Sequence, residues 1–339
     1  MNWVKTACAA VTALGLMTPT MSADASDFYQ GQKINFIIGS SGSGGSSDTY
    51  SRFLASHMSR FIAGNPTIIP QIMPGAGGIR SANFLYNIAP KDGLTIGMLD
   101  QAVYLSQILG TPELKVDATK FNWLGRLINN TSVLIVRSDA QVKKTEDIFA
   151  KEVIVSASGT ASRLNWNLLN NVVGTKIKMI SGYKGTTEAR LAMMRGEIDG
   201  LSMPWFDIKD LDGGSWLAEK KINMILQTGV RKHKELPDLP RMIDLAKNDE
   251  DRQLIYLFSL PNDIGRSIVA PPGLPTERVA ELRKAFMDTI NDPTFRSEAA
   301  RAKLELDTLT GEELQQVVTG SGKFPESLIK RAQHIAEMK

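Results

Sequence analysis

The sequence predicts an α/β protein of two domains. Three observations carry that expectation. Short apolar strands run into loops rich in Gly, Ser, Thr or Ala and then into amphipathic helices, which is the pattern of a parallel sheet layered with helices. The pattern occurs in the first hundred residues and starts again near Ser132. The chain has 339 residues, beyond the length at which one hydrophobic core usually keeps growing. The division expected is 26–128 with 262–339 for the first domain and 129–261 for the second, the chain entering the second domain and then returning.

The chain opens with Lys5 ahead of an apolar stretch from Ala7 to Met17, then small residues ending in Ala23-Asp24-Ala25. This predicts a secretory signal peptide over 1–25, cleaved after Ala25, and a mature protein in the periplasm. The apolar run is shorter than the ~20 residues a membrane-spanning helix needs. Cys8, the one cysteine, lies in that leader, so the mature chain is expected to carry no disulfide, thiol nucleophile or thiolate ligand.

Lys33 to Ile38 predicts a buried strand, Gly39 to Ser47 a loop, and Asp48 to Ile62 a helix with Asp48 as N-cap, because Tyr50, Phe53, Leu54, Met58, Phe61 and Ile62 recur at helical spacing. A strand over Thr67 to Met73 leads into Pro74-Gly75-Ala76-Gly77-Gly78 and a helix over Ile79 to Asn87; a third strand covers Leu94 to Leu99. The rhythm then restarts. Strands are expected at Ser132 to Val136, Val153 to Ser156 and Lys178 to Ile180. The loop at 157–161 opens a helix from Ser162, and the loop at 182–185 opens one from Thr186 that Gly196 closes. Architecture repeats here, but residues do not. Glu235 to Pro261, with its prolines and its Asn248-Asp249-Glu250-Asp251 cluster, is expected to be an exposed connection. A return strand at Ser267 to Ala270, a helix from Thr276 burying Val279, Leu282, Phe286 and Ile290, and a capping box at Thr310-Gly311-Glu312-Glu313 complete the chain.

Enzyme and nucleic-acid classes fit poorly. A net charge of +3 with interspersed signs lacks the clustered Lys/Arg of a nucleic-acid binder. Gly39 to Gly44 outlines a phosphate loop, but Gly45 stands where the essential lysine belongs, and Ser47 replaces the third glycine of a dinucleotide fingerprint. There is no G-x-S-x-G elbow. His57, His233 and His334 lack metal-ligand spacing, and His57 falls on an apolar helix face, where it serves as a packed core residue. Neither a catalytic residue, a metal nor a cofactor is expected. Four loops remain, each delivering small residues to a helix N-terminus, where unsatisfied N–H groups and the helix dipole favour anionic oxygens. One such loop is only the tight turn any α/β protein needs. Two domains facing each other through such loops make a carboxylate trap.

The order of motifs adds a resemblance. Ser43-Gly44-Gly45-Ser46-Ser47-Asp48-Thr49-Tyr50-Ser51-Arg52 resembles the G-G-[ST]-D-x-x-[AS]-R segment of the Bug receptors, the extracytoplasmic binding proteins of tripartite tricarboxylate transporters. Met73 to Gly78 is similar to their P-G-A-G-G loop. Tyr183-Lys184-Gly185, Ala189 and Gly196-Glu197-Ile198-Asp199 are similar to their Y-K-G … G-x-[VI]-D stretch. Glu235-Leu236-Pro237-Asp238-Leu239-Pro240 and Val269 to Pro275 follow in the family's order, so the resemblance spans essentially the mature chain.

The resemblance implies a type II periplasmic-binding-protein fold, a Venus flytrap of two α/β domains with a hinge. It also implies a monomer that captures a small di-, tri- or aromatic carboxylate and delivers it to the membrane permease subunits of a tripartite transporter. By position it assigns the ligand to Ser41, Gly44, Gly45, Ser46 and Asp48, to Gly75, Ala76, Gly77 and Gly78, and to Gly159, Thr160, Ala161 and Ser162. Tyr183, Lys184, Gly185 and Thr186 would complete the clamp, with Trp205 and Asp207 at the far end. Asp48 is expected to cap and brace, because a carboxylate repels an anionic ligand. Trp205 serves equally as an aromatic wall or as core. Lys184 can meet a carboxylate as a point charge, and Arg266 can do the same from the hinge, although a surface salt bridge there is the expectation.

The sequence departs from the family at Ala157 to Leu164, where Arg163 and Asn165 stand near a familiar histidine, and lacks the prolines usual before the first glycines. Two other readings stay open. A sensor would present the liganded receptor to a signalling partner, and a secreted α/β enzyme would need a nucleophile–base pair that the sequence does not supply.

Overall fold

The computed structural model describes residues 28–39, 45–157, 160–183, 185–320 and 324–338, and two sheets organise them. The predicted leader, and with it Cys8, lies outside the described residues.

The first sheet has the order β11-β4-β10-β3-β1-β2, with β1 at Lys33–Ile38, β2 at Thr67–Ile72, β3 at Thr95–Met98, β4 at Asn122–Arg126, β10 at Ser267–Ala270 and β11 at Leu309–Thr310. The second has the order β7-β6-β8-β5-β9, with β5 at Ser132–Arg137, β6 at Val153–Ser156, β7 at Ile177–Ile180, β8 at Gly200–Pro204 and β9 at Ile222–Gln227. The expected parallel pairing holds at the heart of each: β1 lies parallel to β2 and β3, and β6 to β7 and β8. Around those hearts the pairing turns antiparallel. β10 runs against β3 and β4, and β5 runs against β8 and β9, so both sheets are mixed. β1 alternates Ile34 and Phe36 into one core cluster and Ile37 into another, as a strand covered on both faces must.

The helix from Thr276 buries the four residues its spacing predicts: Val279, Leu282, Phe286 and Ile290 join Leu54 and Met58 of helix Ser46–Met58 in one cluster. Burial of such side chains is worth about 1.5–3 kcal/mol each. Two boundaries differ from expectation. The first helix starts at Ser46 on Gly45, placing Asp48 inside the first turn, because the small residues before it already take helical geometry. The segment expected to be an exposed connection contains helix Asp249–Ile264, with Leu254, Ile255, Leu257 and Leu260 buried. Its acidic cluster is a start signal: the Asn248 side chain accepts the N–H of Asp251 and three acids fill the positive first turn.

Two chain segments join the halves. Residues 127–130 run beside 262–266, bonded by Leu127 N–H to Arg266 O, Arg266 N–H to Ile128 O and Asn130 N–H to Asn262 O, each at 2.9 Å. Gly265 turns the second segment at φ +55, and a Cβ there would lie 2.1 Å from the Ile128 carbonyl oxygen, so glycine is required. The last helix, Glu326–Glu337, packs onto helices Thr160–Leu168 and Asp249–Ile264. Among the described residues, no helix is long and apolar enough to cross a membrane.

Candidate functional site

The carboxyl ends of β1, β2 and β3 converge where an open α/β sheet places its ligand. From β2 the chain enters a backbone that side chains rarely adopt: Gly75, Ala76, Gly77 and Gly78 have φ of +141, +45, +59 and +89. A Cβ on Gly78 would come 2.5 Å from the Asp100 Cβ, whereas one on Gly77 would meet nothing. Gly78 therefore permits close packing, and Gly77 leaves its backbone open toward the cleft.

A cavity of about 510 Å³ opens between the two halves. Gly45, Ser46, Ser47, Gly77 and the Asp100-Gln101-Ala102 turn line one side; Ala161, Leu164 and Asn165 of helix Thr160–Leu168 line the other. The C-terminal end of helix Asp249–Ile264 and Arg266 close it toward the hinge. A second, wider cavity of about 960 Å³ lies on the far side of Ser46, which lines both; Thr186, Met203, Phe206 and Asp207 face it from the second half, and Tyr50 and Glu305 from the first.

The expected ligand residues divide accordingly. Gly45, Ser46, Gly77 and Ala161 meet in the inner cavity, and Thr186 and Asp207 line the outer one. Gly75 and Ala76 are exposed in the loop that brings Gly77 to the inner cavity, and Gly185 starts the helix that carries Thr186. Thr160 opens and Ser162 continues the helix that carries Ala161. Ser41, Gly44, Gly159 and Lys184 lie outside the described residues. Asp48 is 5% exposed and binds Arg52 Nε at 2.7 Å, so it braces the helix as expected, though from the first turn and not as the N-cap. Tyr183 packs on the second half's core. Trp205 takes the core alternative: it is buried among Met203, Ile208 and Trp216, and its Nε1 donates to Glu235 Oε2 at 2.7 Å.

Arg266 was expected in a salt bridge and is instead poised in the cleft. Its Nε and Nη1 reach Ser46 Oγ and Gln101 Oε1, both at a long 3.4 Å, and no ion pair to it forms among the described residues. Protein surrounds it closely, and that burial pushes the guanidinium pKa down against the opposing pull of Asp100, Tyr50 and Asp207. Asp100 accepts the Ala102 N–H at 2.9 Å; burial raises its carboxyl, a shift that the Ala102 bond and Arg266 only partly offset. Burial likewise raises Asp207, with Arg266 opposing. A cation held this way, beside the N–H groups at the start of helix Ser46–Met58, is an arrangement suited to an anion. Only Asp100 carried a local signal, as a capping residue directly after a strand.

A second cluster joins the halves across the outer cavity. Glu305 lies 2.8 Å from His233 Nε2 and 3.0 Å from Lys209 Nζ, and Lys209 also binds Glu235 at 2.9 Å. His233 Nδ1 accepts the Glu235 N–H, which leaves the ring proton on Nε2, facing Glu305. Burial alone would raise the Glu305 carboxyl, but the bonds from His233 and Lys209 outweigh it and hold it at about 2. His233, Glu235 and Glu305 bring ligand atoms within 4.8 Å of one another, a spacing a metal ion could use, but the Lys209 ammonium already bonds both glutamates there.

A two-lobed α/β fold, with backbone donors and a cation at an interlobe cleft, defines a solute-binding receptor. The family model for the tripartite tricarboxylate transporter family receptor matches residues 51–333, and the chain belongs to that family. It is 24% identical over 335 residues to the UPF0065 protein in the gbd 5′ region of Cupriavidus necator, covering 95% of this chain and 94% of that one. Among solved structures it is similar to a TctC solute-binding protein from Polaromonas, with TM-score 0.66, 17% identity, and coverage of 91% of this chain and 98% of that one. It is also similar to Rpa4515 of R. palustris with adipate, with TM-score 0.61, 17% identity, and coverage of 90% and 97%. These likenesses fix the fold as the two-domain periplasmic-binding-protein type.

Proposed function

We propose that this protein is a periplasmic receptor that captures a small carboxylate between its two lobes and delivers it to the permease of a tripartite transporter, and that it does no chemistry on that ligand. The observation that carries the reading is Arg266, a closely surrounded cation with no ion pair among the described residues, set beside the Gly45-Ser46-Ser47 helix start in a cavity between the lobes. Membership in the receptor family supports it, as does the adipate held by a protein of the same fold. The predicted leader supports export, and the domains would divide at 26–128 with 262–339 and 129–261.

In this reading, preformed N–H donors of the first-lobe loops and the Arg266 guanidinium take one carboxylate. Helix Thr160–Leu168 closes over it from the second lobe. Closure removes water, which strengthens each charge-assisted bond, and the closed form is what a permease would recognise. Ligand release then needs only reopening.

Titration calorimetry of the mature protein against mono-, di- and tricarboxylates tests the proposal. Binding by one class, weakened about tenfold or more in Arg266→Gln and abolished in Ser46→Phe while both variants stay folded, is the expected result. Binding of a neutral sugar in place of every carboxylate would overturn it.

A further inference from the structure

We infer that the inner cavity selects a monocarboxylate with an apolar body over a di- or tricarboxylate. The inference rests on the receptor reading above and narrows its ligand class.

Among the described residues the cavity has one cation, Arg266, and one anion, Asp100, which interact with each other. The rest of its lining is neutral: Leu105, Leu164, Phe258 and Pro261 are apolar, and Gln101, Asn165 and Asn262 carry amides. A ligand carboxylate seated on Arg266 therefore leaves the rest of the molecule on neutral surface. A second carboxylate would lose its hydration there without gaining a cationic partner, which is costly for any charge moved from water.

Among the described residues, the cation nearest in sequence to this wall is committed elsewhere: Arg163, the neighbour of Leu164 on the same helix, donates through Nη1 to the Met338 carbonyl at 2.9 Å, beyond the end of the last helix. Asn167 donates to the same carbonyl, also at 2.9 Å, so this corner of the helix is locked onto the C-terminal segment. Asn165 is left facing the cavity, a neutral amide suited to a hydroxyl, an ester or a carbonyl but unable to neutralise a carboxylate.

The test uses three probes built on one six-carbon chain: hexanoate, adipate and monomethyl adipate. Calorimetry on the mature protein is expected to give hexanoate and monomethyl adipate affinities about tenfold or more above that of adipate. In Leu164→Lys, which supplies the missing cation, the order is expected to reverse. Adipate binding as tightly as its half-ester in the unmodified protein would overturn the inference and leave the receptor reading standing. Failure of all three, with binding of another di- or tricarboxylate, would overturn the inference alone; failure of every mono-, di- and tricarboxylate would overturn both.

Discussion

Gly265 shows how one residue can hold the geometry on which the cleft depends. Its φ of +55 and the 2.1 Å approach of a would-be Cβ to the Ile128 oxygen leave no room for a side chain in the strip that joins the halves. Gly265→Ala is therefore expected to cost about 2 kcal/mol or more, read as a lower urea midpoint; a change within about 0.5 kcal/mol would mean the strip relaxes freely. Gly31, also at positive φ, has nothing within 4 Å of its would-be Cβ, so an alanine there meets only the backbone penalty of about 1 kcal/mol. The sequence marks both only as glycines. It made the loop glycines legible as an anion-friendly surface, because small residues before a helix have few other uses. It left Arg266 open between a ligand partner and a surface salt bridge. Whether an arginine is paired depends on which carboxylates the fold brings within reach, and Asp100 and Asp207, both distant in sequence, act on Arg266 electrostatically without forming an ion pair. Trp205 was undecidable for the same reason, since its partner Glu235 is thirty residues away.

At the level of elements, local chemistry was decisive where the signal was complete. The Thr310 hydroxyl accepts the Glu313 N–H at 3.1 Å, and the Glu313 carboxylate accepts the Thr310 N–H at 2.8 Å, the reciprocal pair that the four-residue pattern predicts. Thr310→Ala is expected to lower stability by about 1 kcal/mol, and Thr310→Ser to restore most of it; equal urea midpoints for all three proteins would remove the cap as a contributor. Helix Asp249–Ile264 shows the opposite case. Pro261 within its last turn and four polar residues at its start look like punctuation, and its apolar face becomes meaningful only when helices Ala102–Ile108 and Glu326–Glu337 pack on it. That helix supplies Phe258, Pro261 and Asn262 to the inner cavity, so the cleft's third wall is not legible from the local signal of this segment. The mixed sheets have a similar cause. β10 joins the first sheet only after the whole second half has been threaded, and no local period records which way a returning strand will run.

On the scale of the whole molecule, the conformation seen here is held by contacts between the halves as well as by the hinge. Glu305, whose backbone carbonyl accepts the Tyr50 hydroxyl at 2.8 Å, reaches across the outer cavity to Lys209 and His233. Its carboxyl is held at about 2 against an ordinary value of 4.5, so its charged form is favoured by this arrangement. A depressed carboxylate stabilises fully above the unfolded value and loses that contribution as pH falls through the folded one. The clasp should therefore act undiminished at neutral pH and fade from about pH 4.5 to about pH 2. Glu305→Gln keeps the shape of the side chain while removing its charge. It is expected to weaken ligand binding about fivefold at pH 7, the effect of losing about 1 kcal/mol of closure from a partly exposed network, and to enlarge the radius of gyration of the unliganded protein in solution scattering. Its melting temperature should also fall less steeply than that of the unmodified protein between pH 4.5 and 2, because the group that titrates there is gone. Parallel melting curves together with unchanged affinity would mean that Glu305 contributes no net closure, and that the hinge strip and the ligand alone hold the two lobes together.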